Sequence, residues 1–366
     1  MTLSFYITRR FIRSLIIVAL IIGCIAGLLT SVENLRVAAA NDATLTAAGV
    51  LTLFQLPEIL NETFPLVLTL AAMATFLGLS RTSEMVIVRA SGISALRILV
   101  MPVVLASLLG VFGTTVFNPI VAASSLRAEE TRAEITNRTQ NILSFDGGAL
   151  WFRQGLETGQ TVIQATRTTR EGAALFGVRL HEFDTENQLV ARIEARSAVL
   201  TADSWILRDV QRWNLDLGPN APLGSPEVID VLSLPTNLTR EQILDSFAAP
   251  ENVAIWALPG FIKQLELAGF SATRHRVYYQ SELARPALFV AMVLIGAGFS
   301  LRHVRFGQTG VMILFAIMAG FLLYFFTDIA ETLGGNGDIP ILLAAWSPPA
   351  AAIGLAMGLL LHLEDG

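Results

Sequence analysis

The sequence predicts an α-helical membrane bundle of six transmembrane helices with an inserted all-β, jellyroll-like domain outside the membrane. Three observations carry this expectation. The chain is 53% hydrophobic and only 15% charged, with a mean hydropathy of +0.59; a soluble domain carries about 25% charge. Long charge-free runs recur in both the N-terminal and the C-terminal third. The stretch between them is polar and alternates like strands.

The first run, Ser14–Val32, follows Arg9, Arg10 and Arg13. At 1.5 Å per residue it spans roughly 28 Å, about one hydrocarbon thickness. It is longer than a signal-peptide core, and no A-x-A-like site follows at once. Four more runs read the same way: Thr63–Ser80, Ile98–Leu126, Phe306–Thr327 and Ile339–Leu363. Pro286–Leu301 is shorter, and Arg285 and Arg302 can snorkel from its ends to complete a span. Pro65 and Pro286 fall in the expected first turns, where proline is tolerated. No span carries an ionisable residue near its expected centre.

Arginine bias orients the bundle. With the N-terminus inside, the inner segments 1–13, 81–97 and 302–310 hold Arg9, Arg10, Arg13, Arg81, Arg89, Arg97, Arg302 and Arg305 against Glu84 alone. The outer segment 33–62 carries Glu33, Asp42, Glu58 and Glu62 against Arg36, and 328–338 carries Asp328, Glu331 and Asp338. Six spans return the C-terminus to the inside.

The domain boundaries follow: 1–121 for helices one to three, 122–276 for the insert with its flanking helices, and 277–366 for helices four to six. Within the insert, Ala191, Ile193 and Ala195 alternate with Arg192, Glu194 and Arg196, which is a half-buried strand. Leu150, Phe152, Val162, Ile163, Phe176, Val178, Leu180, Ile193 and Trp205 are the expected interior. Leu217–Pro226 is loop, and Glu251–Ala268 reads as helix. An apolar interior with an open edge strand suits either a lipid passage or an ordinary sandwich core.

The chemistry excludes several classes. A P-loop needs a lysine between glycine and Ser or Thr, and the chain's one lysine, Lys263, stands in Phe261-Ile-Lys-Gln. The four histidines are scattered without i, i+4 pairs, so no metal site is expected. No nucleophile motif is present, and the single cysteine, Cys24, lies in an apolar run. We therefore expect no catalytic residues, no metal and no cofactor. A bundle that moves something on these terms takes its energy from another protein.

The stretch Arg81-Thr-Ser-Glu-Met-Val-Ile-Val-Arg-Ala-Ser-Gly-Ile-Ser94 reads as a short amphipathic helix on the inner side. Ser83 can cap its start, and Gly92 can end it. This stretch resembles the (R)SELVVMRA(A/S)G signature of the LptF/LptG permease family. Leu56-Pro57, Phe117-Asn-Pro119, Leu283-Ala-Arg-Pro286 and Leu343-Ala-Ala-Trp-Ser-Pro348 agree with the same family, and Val32-Glu-Asn-Leu-Arg36 looks more like LptG than LptF.

The resemblance implies a lipopolysaccharide-export half-transporter in the bacterial inner membrane, with a periplasmic jellyroll. Its implied partners are an LptF-like paralogous subunit, an LptB-like ATPase dimer and an LptC-like bitopic β-jellyroll protein, with no nucleic acid. It implies that Glu84 docks in a groove of the ATPase, with Arg81, Ser83, Arg89 and Gly92 around it. Lipopolysaccharide would enter between the first and fifth spans of opposite subunits.

For several residues an ordinary structural role competes with the implied one. Glu84 can be a solvated loop charge. Arg36 can bind a lipid phosphate, anchor the helix at the interface, or pair with Glu33 at i, i+3. The family's other basic residue near this helix end is replaced here by about Thr30. Arg127 and Arg132 resemble a basic pair that guides substrate, yet Glu129, Glu130 and Glu134 lie among them. Asp328 and Glu331 stand near the implied lateral gate. The alternative function is a non-transporting ABC-type mechanotransmitter or scaffold. An intramembrane lipid enzyme is disfavoured by the lack of any catalytic cluster.

Overall fold

A computed structural model describes residues 2–82, 84–90, 92–136, 144–146, 149–156, 159–168, 174–184, 186, 188–201, 203–215, 225–236, 249–267, 270–300 and 309–365. The chain divides into two compact units. One comprises residues 1–136, 254–256 and 273–366, and the other 137–253 and 257–272.

The first unit is helical. Its elements are α1 (Thr2–Ala40), α2 (Leu45–Arg81), α3 (Glu84–Ala90), α4 (Ala95–Phe112), a π-helical turn (Gly113–Phe117) and α5 (Asn118–Ile135). Past the second unit come the helices of Thr273–Ser300, Thr309–Asn336 and Ile341–Asp365, labelled α7, α8 and α9 below. Among the described residues, six helices are long and apolar enough to cross a membrane, with α4, the π turn and α5 counting as one. This is the expected six-helix plan.

The helices outrun the charge-free runs at both ends, because charged residues continue a helix wherever they find partners or water. Proline positions shift with the boundaries. Pro65 and Pro286 lie inside α2 and α7, not in their first turns. Spanning helices tolerate interior proline where neighbours re-satisfy the freed backbone.

The largest correction concerns α7. It begins at Thr273, well before Pro286, and brings Glu282 and Arg285 into the helix. Arg285 does not snorkel. It pairs with Glu282 and donates to the Asn61 side chain on α2. Glu282 is 2% exposed, so this spanning helix buries an ion pair that its charge-free part did not announce.

Around that pair the third span departs from regular geometry. π-helical turns are rare and tend to sit at functional sites. Here the Thr114 hydroxyl, on that turn, donates to the Glu282 carbonyl at 2.7 Å. One turn later, buried Asn118 donates to the Tyr278 hydroxyl at 2.9 Å and accepts from the Ile255 amide at 2.8 Å. Gly110 lies directly on Pro286, so close that a Cβ there would collide with the proline backbone. Small residues at such crossings let spanning helices approach closely.

The second unit is an all-β sheet packed on one helix. Strands β1 (Ser144–Asp146), β2 (Ala149–Leu156), β3 (Gly159–Ala165), β5 (Ala174–Phe183), β6 (Leu189–Leu200), β7 (Ser204–Asn214) and β8 (Glu227–Pro235) pair antiparallel in sequential order. The short β4 (Arg167–Thr168) pairs with β5. The described strands thus form one meander. Its apolar face includes Ile163, Val178, Leu180, Ile193, Trp205 and Leu207, covered by Leu265 of α6 (Leu258–Leu267) and by Phe270. Helix α6 is shorter than the expected Glu251–Ala268, because a 3₁₀ turn occupies Pro250–Asn252.

Most of the expected interior is inside, but Phe176 is exposed and Val162 only half-buried. The placement of the Leu150 and Phe152 side chains lies outside the description. The cause at Phe176 is local. Gly177 has φ +60° and, two strands along, Asp209 has φ +54°. The register aligns these positions across β5, β6 and β7, with Arg196 between them. At this line two successive residues face outward on each strand, and the inward alternation resumes one residue late. Leu175 and Val178 therefore both face the core, while Phe176 does not.

Candidate functional site

Helix α3 forms where Met85 can bury. That residue is 6% exposed and joins Ile7, Phe11 and Leu15 of α1 and Phe76 and Leu79 of α2 in one apolar cluster. Ile87, two residues on, is 69% exposed. The helix is therefore amphipathic, with one side on the bundle and one side open. Gly92 follows it with φ +78°, the left-handed conformation glycine adopts most readily at a helix end. Ser83 and the Arg89 side chain lie outside the description. Arg81 is exposed at the end of α2.

Glu84 opens α3 and is not a loosely solvated charge. Its Oε1 accepts from the Thr82 hydroxyl at 2.7 Å and from Arg10 Nη1 at 3.1 Å, and its Oε2 accepts from the Tyr6 hydroxyl at 3.0 Å. Arg10 Nη1 also donates to the Tyr6 hydroxyl at 3.1 Å. The hydrogen bond from Thr82 does most to hold the Glu84 carboxyl below its ordinary value of 4.5, partial burial opposes this, and Tyr6 and Arg10 add to it. A carboxylate with a depressed value contributes stability above its ordinary range and loses it only as the pH falls through the depressed value. The Glu84 carboxylate is therefore ionised throughout the neutral range.

The resemblance drew attention to Glu84, but the sequence alone did not supply its partners. Arg10 stood among the inner-side arginines as a topology signal. Tyr6 and Arg10 are spaced i, i+4, which places them on one face of α1. Nothing in that spacing points 74 residues down the chain.

The expected substrate residues are placed differently. Asn34, 4% exposed, donates to Thr52 at 3.0 Å and to Gln55 at 2.7 Å on α2. That contact turns Arg36 outward, where its side chain is 82% exposed and within 3.7 Å of Glu33 on its own helix. Arg127 is exposed and paired with Glu130 at 2.9 Å. Arg132 is exposed. The ends of these helices are brought together, since Val37, Ala128 and Ile135 share an apolar cluster with Leu51. Asp328 lies on the open side of α8. Glu331 is half-buried and faces Ser281, Glu282 and Arg285 of α7 in the same chain. Asp328 and Glu331 therefore differ in surroundings, although they are one turn apart.

The spanning helices also differ in how much of themselves they bury. Only 11% of the most apolar stretch of the first span and 17% of that of the fifth is buried, against 28–61% for the other four. Leu20, Leu28, Leu29 and Val32 on α1 and Phe321 and Phe326 on α8 are all outward-facing. Among the described residues, no group of three or more His, Cys, Asp or Glu could hold a metal ion.

A model of the family described as lipopolysaccharide export system permease LptF/LptG matches residues 5–362. The chain is similar to the lipopolysaccharide export system permease protein LptG of Escherichia coli (strain K12), 23% identical over 98% of this chain and 97% of that protein. It is likewise 22% identical to LptG of Haemophilus influenzae, over 100% of this chain and 99% of that protein. These relatives are transporter permeases, not enzymes.

Proposed function

The chain belongs to the LptF/LptG family of lipopolysaccharide export permeases, and from that premise we propose that it is one half of an ABC transporter that draws lipopolysaccharide sideways out of the inner membrane. The observation that carries this reading is the bareness of α1 and α8. In hydrocarbon, apolar surface alone gives helices little reason to associate. Two poorly buried apolar helices therefore leave a seam that lipid or a second subunit can occupy. A paralogous LptF-like subunit completes the seam.

Fuel comes from outside the chain, and the exposed side of α3 meets an LptB-like ATPase dimer in the cytoplasm. The termini are cytoplasmic, and the β-domain is periplasmic. It hands lipid on to the jellyroll of an LptC-like bitopic protein. Residues 1–121 and 277–366 supply the membrane halves, and 122–276 the outer domain. Arg36, Arg127 and Arg132 serve the lipid phosphates, with Glu33 and Glu130 as the partners they exchange. Asp328 and Glu331 flank the gate.

Reconstitution tests this. Proteoliposomes containing the chain, its paralogue, the ATPase and the bitopic partner should release lipopolysaccharide only with ATP. Lipopolysaccharide, and not bulk phospholipid, should crosslink to a photoreactive group beside Arg36. ATP turnover without lipid release would favour a mechanotransmitter instead.

A further inference from the structure

We propose that Tyr6 and Arg10 are positioning residues of the transport cycle, tying Glu84 and hence α3 to the start of α1 so that displacement of α3 is delivered to α1. This rests on the coupling role proposed for α3 and assigns Glu84 its principal partner within the chain.

The geometry has the features of a mechanical link. One carboxylate gathers three donors from two other stretches of chain: Thr82 after α2, and Tyr6 and Arg10 on α1. Arg10 and Tyr6 also bond to each other, so α1 grips through a two-pronged fork. Charge-assisted hydrogen bonds of this kind are stronger than neutral ones. The Arg10 guanidinium reaches the carboxylate across Gly78 of α2, where a Cβ would stand only 2.8 Å from its Nη2. Beneath the fork, Met85 packs in the cluster that contains Ile7, Phe11 and Leu15.

The same helix is buried at its start, and over the next four turns it keeps only one face on α2, where Gly23 and Gly27 lie against Leu60 and Leu56. Ile7, Phe11 and Leu15 are buried, whereas Leu20, Leu28, Leu29 and Val32 face outward. Asn34 pins the far end of the helix to α2 through Thr52 and Gln55, so a rigid helix tilts about that contact when its start is moved. Because α1 carries the barest of the six spans found among the described residues, its outward face leaves room for that tilt. Arg10 thus links the surface that receives force to the helix that lines the seam.

The test uses the reconstituted complex, read as complex yield, ATP turnover and lipid released per ATP. Arg10→Gln should leave yield and turnover near the parent while lipid released per ATP falls about fivefold or more, the usual scale of a coupling between sites. Tyr6→Phe, which removes one hydroxyl, should show the same defect in milder form. Arg9→Gln, an equal loss of charge on the exposed side of α1, should match the parent.

Glu84→Arg alone and Arg10→Glu alone should both uncouple, and the swap Arg10→Glu with Glu84→Arg should restore lipid release per ATP. Parent-level coupling in both Arg10→Gln and Tyr6→Phe would overturn the proposal. So would a swap no better than Glu84→Arg alone, because Glu84 would then act on the ATPase directly. A parent complex that hydrolyses ATP without releasing lipid would instead overturn the transport reading on which the proposal rests.

Discussion

Arg285→Ala should destabilise the membrane unit by about 3–5 kcal/mol, the usual cost of removing one partner from a buried ion pair. Glu282 is 2% exposed, so without Arg285 its charge is left with neither water nor a counterion. The substitution also strips the Asn61 side chain of its donor on α7, which loosens α2 from α7. The expected result is a lower midpoint of thermal unfolding in detergent and faster proteolysis of the membrane unit. Replacing both residues, as Glu282→Leu with Arg285→Leu, should cost much less than either single change. Apolar pairs of similar volume often substitute for buried ion pairs at little cost. If Arg285→Ala melts like the parent, the pair does not hold the helices together.

Glu84→Arg should leave the chain folded and in the membrane yet cut ATP-coupled lipid release by about tenfold or more, since like charges forced together at a contact cost several kcal/mol and each 1.4 kcal/mol is a factor of ten. The substitution takes the acceptor from Tyr6, Arg10 and Thr82 at once and sets a guanidinium against Arg10. The β-domain lies in the other unit, so its protease resistance should not change. Measuring lipid release and β-domain proteolysis on the same preparation separates uncoupling from misfolding. Parent-level lipid release would contradict any role for Glu84 in coupling.

The helical plan was legible because a charge-free run of the right length has few other uses. Helix ends were less legible, because a helix continues through charged residues that find partners, as α7 does through Glu282 and Arg285. Part of that polar cluster comes from Asn61 and Thr114, and ordinary residues in distant helices give no local signal. In the insert, period-two alternation predicted Val178, Leu180 and Ile193 correctly. It failed at Phe176, where the positive φ of Gly177 delays the alternation by one residue.

Glu84 stood out as a lone acid among arginines and sat inside the family signature. Arg10 did not stand out, because the same residue type serves topology on every inner segment. For Arg36 and Arg127 the neighbouring glutamates already offered the i, i+3 pairs that the structure contains.

The central claim is that the chain borrows motion through the open side of α3. Ile87 is exposed there, at 69%, and a photoreactive amino acid in its place probes that side directly. In the reconstituted complex, crosslinking at residue 87 should yield an adduct with the ATPase subunit, formed from the side of the membrane where ATP is supplied. Adducts only with bilayer lipid, or with a protein on the opposite side, would contradict the account.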